Sequence, residues 1–363
     1  MPEPFKNLLS PELLRKVASD IQAVYSPFEA DEFVKSIMDE TWGGLELKDR
    51  VYKVSANLGK YLPEDYKTAI GIIDKIIANY GDGLNGFAWF FPLFVELYGQ
   101  DEENWDVSIA ALERYTPYAT AEMAVRPFII KHEARMMAQM YAWSKHENEH
   151  VRRLASEGCR PALPWAPAIP SFKKDPAPIL PILEQLKADP SLHVRKSVAN
   201  NINDISKTHP DLIIKLATDW YGNDFYTDWI VKHGCRTLLK KGNREVLAIF
   251  GLDNSAAVDV YDFYLETPSI SIGGEIEFSF IIFARETAKV RLEYGIGYVK
   301  ANGKRSRKIF QISEISMEVG QRKYYVRKHS FADLSTRKHY PGVHSVTIIV
   351  NGTERDTLEF EVR

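Results

Sequence analysis

Two histidines four positions apart raise the first chemical question. Ser144 to Gly158 reads SKHENEHVRRLASEG, and within it His146-Glu147-Asn148-Glu149-His150 has the order H-E-x-x-H. On one face of a continuous helix, such a pair holds zinc while the glutamate activates water. Nearby lies a second set of chemically able residues. Glu122, Glu157 and Asp204 are carboxylates in a stretch that also carries Arg152, Arg153, Arg160, Arg195 and Lys196. Carboxylates can stabilise a developing positive charge, and the basic residues suit a polyanion. Which chemistry is possible depends on the elements that position these side chains.

A repeat decides the first case. HVRRLASEG at His150 matches HVRKSVANN at His193, 43 positions later, and a weaker copy, WIVKHGCRTLL, begins at Trp229. Each copy follows a polar turn: SKHENEH, KADPSLH and YGNDFYTD. Helix pairs recurring every 35 to 45 residues are the signature of a HEAT-like solenoid. His193 follows Asp189-Pro190-Ser191, so the alignment predicts that HENEH spans an inter-helix turn. No zinc site is expected there.

The same alignment places the acids. Val194, Val198, Ile202 and Ile205 form the apolar stripe of the later helix, with Lys196, Asn200, Asn203, Asp204 and Lys207 on its other side. In the earlier helix Val151, Leu154, Ala155 and Gly158 are the buried set, and Arg152, Arg153, Glu157 and Arg160 stay polar. Glu157 then lies opposite Asn200, one turn from Asp204, and Glu122 opens AEMAVRPFI on the preceding helix. The three acids are predicted to meet on one groove, beside Trp165 in the proline-rich loop RPALPWAPAIP. The competing reading is structural: Arg and Asp in such helices form inter-repeat ladders, and Arg153 with Glu157 is an ordinary i,i+4 pair.

The rest of the chain frames this region. It has 363 residues, 45% of them hydrophobic and 26% charged, enough for a substantial core. Only Cys159 and Cys235 are present, which argues against a disulfide framework and for a reducing, cytoplasmic setting. MPEPFKNLLSPELLRK lacks a signal-peptide layout. FAWFFPLFVELYG from Phe87 is too short to span a bilayer, so no membrane is expected. Residues 1–125 hold 11 basic against 21 acidic residues, 126–244 hold 19 against 12, and 280–340 hold 14 against 5. Basic surfaces beside an acidic segment suit a polyanion, although the net charge is only −3.

Helical spacing runs to about residue 250. Leu47, Val51, Val54 and Leu58 share one stripe, and Pro63-Glu64-Asp65 is read as opening the next helix. After Val258 the period becomes two, in EIEFSFIIFA, KVRLEYGIGYV, RKYYVRK, HSVTIIV and TLEFEVR, with GG, NGK, PG and NGT turns between. The predicted fold class is a multidomain chain: an all-α HEAT-like solenoid over 1–250, a linker over 251–257, and an all-β immunoglobulin- or fibronectin-like sandwich over 258–363.

RLASEGCRPALPW, DPAPILPILEQLKADPSLHVRKSVANNINDISKTHPDLI and LELKDRVYKVSANLGKYLPEDY resemble the AlkC branch of the AlkC/AlkD DNA alkylation-repair glycosylases. The resemblance covers the helical two thirds of the chain, and a subset of that branch carries a C-terminal immunoglobulin-like domain. This sequence departs from the pattern at Ala162, where a basic residue commonly precedes Leu-Pro-Trp, and at Asn201, where a histidine is common.

The resemblance implies hydrolysis of the N-glycosidic bond of cationic alkylated bases, 3-methyladenine and 3-methylcytosine, in double-stranded DNA, without extruding the base. It implies that Glu122, Glu157 and Asp204 carry the chemistry and that Trp165 packs on the lesion or its sugar. Arg152, Arg153, Arg160, Arg195 and Lys196 would hold phosphates. No metal or other cofactor is implied, and a monomer is expected. The basic segments VKANGKRSRK, RKYYVRK and STRKHY are read as loops that grip DNA from the sandwich side. The alternative function is a non-catalytic HEAT-like binder of DNA structure; a protein-binding scaffold and a zinc hydrolase follow behind it.

Overall fold

The computed structural model describes residues 4–80, 88–334 and 337–363. Phe87 of the apolar run, Ser335 and Thr336 of STRKHY, and residues 1–3 of the N-terminal stretch lie outside the described residues. The chain forms two compact units: Met1–Thr208 with Asp224–Gly234, and His209–Asn223 with Cys235–Arg363.

Helices come first along the chain. They begin with α1 (Pro11–Val24), α2 (Ala30–Ile37), α3 (Leu47–Tyr61), α4 (Tyr66–Ile76), α5 (Phe90–Tyr98) and α6 (Trp105–Tyr115). Next are α7 (Arg126–Lys131), α8 (Glu133–Trp143), α9 (Glu149–Gly158), α10 (Pro170–Lys174), α11 (Leu180–Leu186) and α12 (Leu192–Ile205). The last are α13 (Pro210–Trp220), α14 (Phe225–Gly234), α15 (Arg236–Lys240) and α16 (Arg244–Ile249). No helix among the described residues is long and apolar enough to cross a membrane. The apolar run becomes α5, whose Phe90, Phe91, Pro92, Phe94 and Val95 are buried.

Local chemistry sets these elements. In α3 the stripe of Val51, Val54 and Leu58 is buried as its spacing requires. Pro63 does not enter α4. Asp65 caps it instead, its carboxylate accepting the Thr68 N–H at 2.9 Å. The repeat at α9 and α12 is written into the caps. Asn148 accepts from His150 N–H and Ser191 from His193 N–H, 43 positions apart in the chain. The His150 and His193 rings then meet edge to face at 5.6 Å. His146 stays in the turn, its Nδ1 accepting the Asn148 N–H at 3.0 Å, and α9 begins only at Glu149. The two histidines of HENEH therefore do not share a helix.

The second unit carries the sandwich. Its strands are β1 (Val258–Leu265), β2 (Ser269–Ile270), β3 (Glu275–Ala284), β4 (Ala288–Val299), β5 (Arg305–Met317), β6 (Arg322–Ser330), β7 (Gly342–Val350) and β8 (Thr353–Val362). One sheet has the order β1-β3-β6 and the other β2-β8-β7-β4-β5. Ile276, Phe278, Phe280 and Ile282 of β3 alternate inward, against a core that includes Leu292, Ile296, Val346 and Ile348. Asn351 and Gly352 make the β7–β8 hairpin with φ of +48° and +72°, the primed turn that Asn-Gly favours. Two basic segments read as DNA-gripping loops form strands, as the period-two spacing of RKYYVRK also predicts. RKYYVRK is β6, paired to β3, and from Arg305 onward VKANGKRSRK is β5, paired to β4. Their cationic side chains fall at exposed or half-buried positions, as a sheet face open to solvent allows.

Candidate DNA-facing carboxylate site

The three acids lie on one connected ladder within the first unit. Thr120 Oγ1 donates to Glu122 Oε2 at 2.7 Å, and the Arg153 guanidinium pairs with the same oxygen. Arg153 reaches across to Glu157 Oε1 at 3.9 Å. Arg160 holds that oxygen at 2.6 Å and grips Asp204 Oδ2 through Nε and Nη2, both at 2.8 Å. Lys207 closes the row on Asp204 Oδ1 at 2.8 Å. Charges alternate from Glu122 to Lys207, so the row compensates itself.

Packing explains how residues from three segments reach one line. α9 passes close to the segment carrying Glu122 because Gly158 has no side chain. A Cβ there would come within 2.6 Å of Val125 and 2.9 Å of Met140. α12 lies against α9 through the Ser156–Ser197 hydroxyl pair at 2.7 Å and the Asn201 amide donating to the Ser156 carbonyl at 2.8 Å. The burial differs from the sequence expectation. Glu157, Arg160 and Asp204 are buried, not on open polar faces, because each faces the neighbouring helix. Burial by itself would lower the Arg160 pKa, but the carboxylates of Glu157 and Asp204 raise it.

Two carboxylate oxygens stay uncommitted. Glu157 Oε2 and Glu122 Oε1 accept no hydrogen bond from any described residue, and neither is sealed from solvent. Both oxygens of Asp204 are engaged. The site thus leaves one oxygen each of Glu157 and Glu122 available and keeps Asp204 as the anchor of Arg160.

Trp165 belongs to the loop that follows α9. It is 60% exposed and has φ of +66°, a left-handed backbone that a bulky residue adopts only under constraint. The constraint is visible. Lys48 Nζ donates to the Trp165 carbonyl at 2.6 Å. Arg126, wholly buried, donates to the carbonyls of Gly158 and Arg160 at 2.9 Å and of Pro167 at 2.8 Å. Burial, first among the causes, brings the Arg126 pKa down to about 10, so the side chain stays charged at neutral pH. Sequence reasoning passed over Arg126, although it lies in AEMAVRPFI; a charged residue on an otherwise apolar stretch was the available signal.

The remaining predicted residues are placed apart from the ladder. Arg152 pairs with Asp189 through Nε at 2.6 Å and Nη2 at 3.2 Å, and donates to the carbonyls of His146 and Glu147. Arg195 repeats the move one helix pair later, on the carbonyls of Asp189 and Pro190, with its plane over Tyr226 at 4.1 Å. Both arginines lock the inter-helix turns, the structural role that the sequence offered beside phosphate contact. Lys196 is exposed. Among the described residues no group of three or more His, Cys, Asp or Glu is arranged to hold a metal ion.

Comparison with known proteins follows the same division. Residues 93–243 match the model of the DNA alkylation repair enzyme family, and residues 259–363 match the C-terminal Ig-like domain described for "Uncharacterised protein YhaZ". The chain is 47% identical over 357 residues to "Uncharacterized protein YhaZ" of Bacillus subtilis (strain 168), covering 98% of this chain and 99% of that one. Among solved structures it is similar to the Pseudomonas fluorescens alkylpurine DNA glycosylase AlkC bound to DNA containing an abasic site analog. That match has a TM-score of 0.94 and 36% identity, and it covers 99% of this chain and 100% of the other.

Proposed function

The chain belongs to the AlkC branch of the DNA alkylation repair enzymes, with that branch's C-terminal immunoglobulin-like domain, and from this we propose that it is a glycosylase hydrolysing the N-glycosidic bond of cationic alkylated bases. Its substrates are 3-methyladenine and 3-methylcytosine in duplex DNA, and the lesion is not flipped into a pocket. Residues 1–250 form the glycosylase domain, 251–257 the linker and 258–363 the accessory domain. The protein acts as a monomer in the cytoplasm, at the nucleoid, and uses neither a cofactor nor a lysine nucleophile.

One observation carries the reading: two uncommitted carboxylate oxygens lie on a charge-compensated ladder next to an exposed, constrained tryptophan. A stacked base normally hides its reactive atom, which is why most base-modifying enzymes flip it. A cationic alkylated base leaves without being protonated. As the bond breaks, its electron pair neutralises the base, and positive charge develops on the deoxyribose. Glu157 Oε2 or Glu122 Oε1 stabilises that cation and receives the proton of the attacking water. Asp204 positions Arg160, and Arg160 fixes Glu157. Trp165 supports the lesion or its sugar, while Arg153 and Lys196 lie toward the phosphates.

Chromatography of the bases released from methylated duplex by the purified protein tests this. Free 3-methyladenine and 3-methylcytosine are expected. Tight binding without release would instead favour a non-catalytic DNA-structure binder, a reading that the self-compensated ladder also accommodates.

Two further outcomes follow. Trp165→Gly relaxes a backbone that costs on the order of 1–3 kcal/mol. It is expected to keep or raise the melting temperature while slowing base release at least tenfold. A lower melting temperature with release unchanged would make Trp165 merely structural. We also propose that the exposed Lys300 and Lys304 of the sandwich contact DNA. Replacing both with glutamate is expected to weaken binding and to flatten its salt dependence by about 1 per lost phosphate contact. An unchanged salt slope would remove the sandwich from the interface.

A further inference from the structure

Beside the ladder, a cavity of about 270 Å³ opens between α3, α5 and the Trp165 loop, and of its lining the excision chemistry uses only Trp165. Its walls are mostly apolar, from Val51, Leu93 and Met123. Its aromatic side is Tyr52 with the Trp89–Trp165 pair, whose rings meet edge to face at 6.3 Å. It adjoins the candidate site through Thr120, which lines the cavity and donates to Glu122.

One polar group faces this apolar space without a partner. No described residue donates a hydrogen bond to the Glu96 carboxyl. Burial pushes its pKa up to about 7, with Lys48 acting in the opposite direction. A largely buried carboxyl without a partner is costly unless a ligand completes it. The space is smaller than the roughly 300–1,000 Å³ usual for drug-sized ligands, so it suits a single ring system and not a nucleotide. A carboxyl pairs well with a ring nitrogen that has an amino group beside it: the amino N–H donates to one oxygen, and the protonated oxygen donates to the ring nitrogen. Aromatic surfaces add about 1–3 kcal/mol for a stacked base.

We propose that this cavity binds the free alkylated base after excision, with its ring against Tyr52 and the Trp89–Trp165 pair and its amino edge on Glu96. The claim deepens the glycosylase reading and rests on it for the identity of the ligand. Product held there would compete with its own departure, so free base is an inhibitor of turnover.

The test titrates the full-length protein with free 3-methyladenine, followed by tryptophan fluorescence. Saturable binding is expected. Glu96→Leu should lose at least tenfold in affinity. Glu96→Gln, whose amide also pairs with an adenine edge, should stay within about threefold. Tyr52→Ala, an exposed wall residue, provides a second variant with little risk to folding and should weaken binding as well. Absence of saturable binding, or equal affinity in Glu96→Leu, overturns the proposal. Single-turnover excision by the wild type separates the two claims. Excision without Glu96-dependent binding sinks only the product site. Glu96-dependent binding without excision upholds the site and sinks the glycosylase reading.

Discussion

Glu157→Gln is expected to slow single-turnover release of 3-methyladenine about a thousandfold while leaving duplex affinity nearly intact. The magnitude comes from one charge acting on a developing cation. At about 4 Å and an effective dielectric of about 20 the interaction is on the order of 4 kcal/mol, and that corresponds to roughly three decades in rate. Glu157 is the strongest candidate because its Oε1 is fixed by Arg160 while Oε2 remains available. A carboxylate held by one oxygen does not have to reorganise when charge appears, which is what makes such stabilisation effective. Asp204→Asn should act differently. Its oxygens already serve Arg160 and Lys207, so its effect on rate would run through a displaced Arg160. A loss for Glu157→Gln below about tenfold would transfer the role to Glu122.

Arg160→Met is expected to destabilise the folded chain by about 3–5 kcal/mol, read from urea unfolding of the full-length protein. The guanidinium lies between two buried carboxylates, and removing it leaves Glu157 with only Arg153 at 3.9 Å and Asp204 with only the half-exposed Lys207. Neutralising the carboxylates as well, in Arg160→Met with Glu157→Gln and Asp204→Asn, should recover much of the loss, because buried charge without a partner is the cause. A loss below about 1 kcal/mol for the single variant would mean that water reaches the ladder and screens it. This stability role and the catalytic role of Glu157 share one geometry, so the same arginine that holds the fold fixes the reactive oxygen.

Much of this arrangement was legible in the sequence. The 43-residue offset between HVRRLASEG and HVRKSVANN predicted the inter-helix turn at HENEH, and the matching caps Asn148 and Ser191 account for it. The change of period at Val258 marked the strands, since alternation is what a half-buried sheet requires. The meeting of Glu157 with Asp204 followed from the same alignment, but its form did not. Periodicity assigns a polar residue to a polar face and cannot show that the face packs on another helix; hence Glu157, Arg160 and Asp204 were expected open and are buried. Arg152 and Arg195 look like phosphate ligands by type, yet a guanidinium in the first turn of a helix also reaches its own preceding turn. The strain at Trp165 and the anchoring by Arg126 depend on long-range contacts, across 117 residues for Lys48 to Trp165 and 41 for Arg126 to Pro167. No local pattern encodes them. β5 was hidden by its own composition, because RSRKIF begins with exposed cationic residues that read as a turn.

The central claim is that Glu157 or Glu122, the ladder carboxylates with an available oxygen, breaks the glycosidic bond of a cationic base. Mass spectrometry of a duplex carrying one 3-methyladenine, incubated with an excess of the purified protein, tests it most directly. The account predicts a strand lighter by the free base less one water, an unbroken backbone and one equivalent of free 3-methyladenine. A duplex that is bound yet recovered with its lesion in place would contradict it.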